Sequence, residues 1–162
     1  TYPGSGGGGW DPRIIMEGGN GGGLVWIEVD QVAELNGTIT ANGRVPGINY
    51  SSAGSGGGIN ISCLVLSGLA TGRLRAEGGY GDAYGGGGGG RIAVWFAIPT
   101  GERQGIIDGN MRNVVVTNSC KTYLGTVSAA GGLSMGGGPS NGAPGTVVFL
   151  TLYRSGTVLQ VR

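Results

Sequence analysis

Apolar and polar residues alternate through short stretches of this chain and do not recur at helical spacing. Leu24–Val29, Ile59–Leu66, Arg91–Ile98 and Val147–Leu152 are dense in β-branched and aromatic residues, the mark of strands on a pleated, half-buried surface. Each follows glycine, at Gly21–Gly23, Gly56–Gly58, Gly85–Gly90 and Gly145. A shorter strand type runs glycine, any residue, aliphatic, any residue, alanine. It occurs at Gly37–Ala41, Gly72–Ala76 and Gly125–Ala129, and again at Gly156–Gln160 with Gln160 in place of alanine. Helical signal is weak: the best window, Asp30–Leu35, is too short to hold a helix by itself.

Taken in order, these pieces divide the chain into four units of glycine loop, long strand and short strand. The units span 1–43, 44–78, 79–131 and 132–162, with residues 99–123 inserted between the two strands of the third. Alternation assigns the faces. In the short strands Ile39 and Ala41, Leu74 and Ala76, and Val127 and Ala129 point inward. In the long strands Val25, Ile27 and Val29, then Ile59, Ile61 and Cys63, then Ile92, Val94 and Phe96 do the same. One unit has too little apolar surface to stand alone, but repeated units can bury a continuous core. The expected fold is therefore a single all-β repeat domain, a glycine-rich β-solenoid resembling a parallel β-helix. A two-sheet antiparallel sandwich is the alternative, since connections such as Leu66 to Thr71 are short enough for hairpins.

Composition narrows the class. Glycine takes 40 of the 162 residues, in clusters, with six prolines; collagen would need glycine at every third position, and a disordered chain would lack the apolar stretches. Glycine loses more backbone entropy on folding than other residues, by roughly 0.5–1 kcal/mol each. Its retention implies either mobile surface loops or close-packed extended backbone of the polyproline-II kind, which leaves no room for Cβ. The net charge of +1 argues against nucleic acid as a partner, and no apolar run reaches the length of a membrane span.

Several motifs resemble a recurrent glycine-rich module of very large secreted or surface bacterial proteins. The likeness runs through Gly19–Ile27, Leu35–Gly43, Gly54–Ile61 and Leu66–Gly68, and is closest at Ala76–Gly79 followed by Gly85–Val94. It covers residues 1–97; beyond them only the repeat itself matches. The resemblance implies an extracellular, β-helical, structural or adhesive role, and it brings no catalytic residues.

Candidate chemistry is sparse. The chain has no histidine and a single lysine, Lys121, so no histidine-based triad, dyad or metal site can be built, and no phosphate loop. Gly78–Asp82 is like the calcium-binding glycine–aspartate repeat, but its aspartate falls one position early and the motif stands alone. No catalytic, metal or cofactor residue is therefore assigned. Glu28 and Asp30 share one outward strand face; such a pair can bind a cation or act on a glycosidic bond, but the favoured reading is a solvated strand face carrying ordinary charges. Arg73 and Arg75 form a comparable exposed pair that could complement the two acids across units. Trp95 turns outward if Val94 and Phe96 turn in, and with Trp10, Trp26, Tyr80 and Tyr84 offers stacking surface. Cys63 and Cys120 supply one candidate disulfide, worth roughly 2–4 kcal/mol, although Cys63 reads equally as a buried small apolar residue. Sequons stand at Asn36, Asn49 and Asn60.

The expected function is structural: an extracellular or cell-surface protein, the subunit or module of a fibre or surface layer. Assembly would run through β-edge or end-to-end contacts, with a terminal β segment carrying Val158 and Val161 presenting unpaired backbone. The partners are other copies or neighbouring modules. The alternative is an adhesion module that binds polysaccharide or another surface through Trp95 and the outward charges. A β-helix polysaccharide lyase or hydrolase ranks below both, so the chain is read as a non-enzyme.

Overall fold

The computed structural model describes residues 3–8, 17–47, 51–81, 84–109, 114–134 and 140–152. Trp10, Asn49, Asp82, the repeat at Gly156–Gln160, and Val158 and Val161 lie outside those residues.

The alternating stretches form strands, and equivalent strands of successive units lie side by side. The long ones are β1 (Leu24–Glu28), β4 (Gly58–Ser62), β7 (Arg91–Trp95) and β10 (Thr146–Leu152). They pair in parallel and in register, Val25 with Ile59, Ile59 with Ile92, and Ile92 with Val147. The short ones, β3 (Thr38–Thr40), β6 (Arg73–Arg75) and β9 (Thr126–Ser128), form a second parallel sheet. A third, two-stranded sheet joins β2 (Val32–Glu34) to β5 (Val65–Ser67). The core fills the space between the sheets: Ile59, Ile61, Leu66, Leu74, Ile92 and Val94 are at most 1% exposed, and Val25, Ile27, Ile39, Phe96 and Val127 pack against them.

Three features correct the expected architecture. Within the insertion, Thr100–Ile107 is a helix, α1, so the chain is mixed α/β and not all-β. The same insertion supplies β8 (Val114–Thr117), which closes the long-strand sheet by pairing antiparallel with β10. And the β2–β5 sheet draws on the first two units alone. The described residues therefore form three unequal sheets with a helix, not the uniform solenoid of four equivalent units. The antiparallel sandwich fails as well, because every other strand pairing is parallel. Strand boundaries shift too. Ile59–Leu66 breaks at Cys63 and Leu64 into β4 and β5, and the Asp30–Leu35 window contains β2 instead of a helical turn.

The glycine clusters are regular extended backbone, not loose loops. Hydrogen bonds cross between neighbouring segments at every third residue. Gly4 and Gly7 donate to the carbonyls of Gly22 and Gly19, Gly19 and Gly22 to those of Ser52 and Ser55, and Ser52 and Ser55 back to Gly8 and Ser5, all at 2.8–3.0 Å. That closed triangle continues through 85–90 and 140–145, where Gly56 donates to Gly88 and Gly89 to Ala143. A three-residue repeat bonded only to its neighbours is polyproline-II-like packing. At Gly54 a Cβ would lie 2.0 Å from the Asn20 carbonyl oxygen, and at Gly87 1.9 Å from that of Gly54. The bundle anchors the N-terminal end of every long strand.

Candidate binding groove

Because β1, β4 and β7 turn Val25, Ile27, Ile59, Ile61, Ile92 and Val94 into the core, the alternate residues face out. The register sets these outward residues in rungs. Trp26, Asn60 and Ala93 form one rung; Glu28, Ser62 and Trp95 form the next. Left bare, this would be a solvated face with two tryptophans. The insertion changes that by laying α1 over it.

The chain reaches that position through a sharp turn after β7. Ala97 has φ +57°, a left-handed conformation that costs a non-glycine residue roughly 1–2 kcal/mol. Hydrogen bonds from Ala97 N to Leu64 O (2.9 Å) and Ile98 N to Cys63 O (3.3 Å) hold it there, and Ile98 is sealed at 1% exposure. Pro99 opens the helix, and Gly109 with φ +90° follows its end, where its N–H bonds the Ile106 carbonyl at 3.0 Å. From the helix, Arg103 crosses to the end of β1. Its guanidinium donates to the Val29 carbonyl and lies 3.1 Å from Asp30 Oδ1, while Thr100 Oγ1 donates to the same carboxylate at 3.0 Å.

Between helix and sheet is a groove of about 300 Å³, with Trp26, Asn60, Ser62 and Trp95 as its floor and Arg103, Ile106 and Ile107 as its far wall. Glu28 stands at the floor, accepting a hydrogen bond from Trp26 Nε1 at 2.9 Å. Two of the lining residues each carry a polar atom that is closed to solvent and has no partner: Asn60 Oδ1 and Arg103 Nε. Arg103 is only 9% exposed. Such atoms are rare in folded proteins because each carries an unmet desolvation cost.

The structure therefore brings together three of the sequence-predicted residues, Trp26, Glu28 and Trp95, and places the other described ones elsewhere. Asp30 is held by Arg103 and Thr100 instead of pairing with Glu28 in acid chemistry. Arg73 is exposed on β6, and Arg75 is bonded to Glu77, with Nε to Oε2 at 2.9 Å. The proposed complementarity of Arg73 and Arg75 with Glu28 and Asp30 is not formed, because each acid has a nearer partner. Cys63 and Cys120 are free thiols, both buried in the same core cluster, so the candidate disulfide is absent from this structure. Ser62, Arg103, Ile106 and Ile107 were not singled out by the sequence, and Asn60 was singled out only as a sequon. Alternation puts Asn60 and Ser62 outward, but nothing in it signals a helix above them.

No family model matches the chain, and no curated protein or solved structure matches it. Among the described residues no helix is long and apolar enough to cross a membrane.

Proposed function

We propose that the chain is a non-enzymatic binding module, with the sheets and glycine bundle as scaffold and the groove under α1 as its ligand site. One observation carries this reading: two tryptophans, Trp26 and Trp95, line a single recess together with Glu28, Asn60 and Ser62. Among the described residues Glu28 is the one carboxylate on the lining and no second acid or base stands opposite it, so the arrangement suits capture better than bond cleavage. The resemblance to secreted bacterial surface modules supports an extracellular, adhesive setting. Tryptophan fluorescence of the chain, titrated with a panel of oligosaccharides, peptides and quaternary amines, tests the reading. Saturable shifts that vanish when Ile107→Trp fills the groove are expected; shifts that survive it would place binding elsewhere and overturn this assignment.

A structural role, as subunit of a fibre or surface layer, is favoured by a separate observation. Among the described residues β1, β2 and β3 each pair on one side only, and Leu24, Trp26 and Val32 on them are about half exposed. Unpaired parallel edges from one unit can accept strands of another copy. Sedimentation over a concentration series, with electron microscopy, tests this. Oligomers abolished by Leu24→Pro support it, and a monomer at every concentration removes it.

A further inference from the structure

We infer that the groove takes a neutral oligosaccharide, laid across β1, β4 and β7 with one ring on Trp26 and another on Trp95. This inference rests on the groove being a binding site, as proposed above.

The spacing of the aromatic residues argues for an elongated ligand. Trp26 and Trp95 stand on strands two apart in the sheet, with Asn60 and Ser62 between them, and one rung apart along it. At a strand spacing of about 4.8 Å and a rise of about 3.3 Å per residue, their Cα atoms are about 12 Å apart. Two indoles so placed, on neighbouring rungs of one sheet face, suit a ligand with successive flat faces.

The polar lining argues for hydroxyls. Asn60 and Ser62 stand on the lining between the two tryptophans, and an amide and a hydroxyl can each meet a donor and an acceptor. A sugar hydroxyl is both at once, so adjacent hydroxyls of one ring can satisfy both side chains. A proline-rich peptide also docks on aromatic grooves, but its proline backbone has no N–H to offer Asn60. A quaternary amine offers neither group.

Charge argues for neutrality. The Arg103 guanidinium is already answered by Asp30 and the Val29 carbonyl, which among the described residues leaves the Glu28 carboxylate as the uncompensated charge on the lining. Arg91, exposed one rung beyond Ala93 on β7, does not line the groove. Among the described lining residues, a uronic acid or sulfated sugar would meet Glu28 with no further cation set to receive it.

The test is isothermal titration and saturation-transfer NMR of the intact chain. The probes are neutral oligomers of glucose, mannose, galactose and xylose, an oligogalacturonate, a proline-rich peptide and choline. At least one neutral oligomer is expected to bind and to shift the indole N–H signals of Trp26 and Trp95. Its affinity should fall about tenfold or more in Trp26→Ala and in Trp95→Ala, and again in Asn60→Ala, with urea midpoints recording that each variant folds. Trp26 is half exposed, so its variant keeps the test open if the others are unstable. Tryptophan-dependent binding of the oligogalacturonate, the peptide or choline in place of every neutral sugar would overturn the sugar class and leave the binding module standing. Absence of tryptophan-dependent binding by any probe would overturn both.

Discussion

Arg103 of α1 and Asp30 beyond β1 meet at 3.1 Å across 73 residues of chain, and this contact fastens the insertion over the sheet. The two partners contribute unequally. Asp30 has a side chain 71% exposed, while that of Arg103 is 10% exposed and also bonds the Val29 carbonyl. An ion pair with one solvated partner is worth about 0–1 kcal/mol. Losing the buried guanidinium also removes its packing and orphans a carbonyl, at about 1–3 kcal/mol. Asp30→Asn should therefore barely move the urea midpoint, whereas Arg103→Ala should lower it clearly and raise acrylamide quenching of Trp95 as α1 lifts. Equal effects of the two substitutions would show that the ion pair itself holds the helix.

The glycine bundle makes a sharper forecast, because its glycines are not interchangeable. At Gly54 a methyl group would meet the Asn20 carbonyl at 2.0 Å, and the obstacle is backbone that cannot swing aside. At Gly37 a methyl group would meet nothing within 4 Å. Gly54→Ala should cost about 3 kcal/mol or more. Gly37→Ala should be neutral or stabilise by up to about 1 kcal/mol, through the reduced freedom of the unfolded chain. Thermal unfolding of the two variants separates a packed bundle from mobile loops, which would tolerate both changes alike.

Much of the sheet system was legible in the sequence because a period of two states its own face. Ile59, Ile61, Ile92 and Val94 read as inward and are fully buried. The parallel register follows from the repeat itself. The groove was not legible, and the reason is physical. α1 has eight residues with glycine at Gly101 and Gly105 and little amphipathicity, so it depends on Arg103 and Ile98 docking against distant strands. A helix stabilised by tertiary contacts leaves a faint local signal. Gly109 after Ile107 and Asp108 was the one local mark of its end. The split of Ile59–Leu66 was hidden for the same reason: the break at Cys63 is set by bonds to Trp95 and Gln31 from other units.

Acid should loosen the second sheet. Glu77 follows β6, and partial burial pushes its carboxyl up. Hydrogen bonds from Arg75, Ser128 and Asn42, with the charge of Arg75, outweigh that and hold it below its ordinary value of 4.5. A carboxyl depressed in the folded state stabilises the fold fully above the unfolded value and ceases to as pH falls through the folded one. The urea midpoint should therefore drop below about pH 4.5. Glu77→Gln should be less stable at neutral pH and lose that part of the acid dependence. An unchanged slope in the variant would assign the acid sensitivity to other carboxylates.

The two cysteines should behave as core residues. Burial first, and then the neighbouring Cys120, push the Cys63 thiol up to about 11. Its Sγ lies 3.8 Å from the Trp95 carbonyl, and Cys120 Sγ lies 3.6 Å from that of Leu66. A thiol that ionises so far above neutrality supplies almost no thiolate at pH 8, and thiolate is the reacting species. An aromatic disulfide reagent should therefore leave Cys63 of the native chain unmodified on a scale of minutes, and Cys120 as well because it is buried, and should titrate both once guanidinium unfolds the chain. Cys63→Ala should leave a small cavity and cost about 1–2 kcal/mol. Rapid reaction of one thiol in the native chain would mean that the core opens locally at that strand break. No reaction even after unfolding, reversed by prior reduction, would mean that the chain carries the Cys63–Cys120 bridge after all.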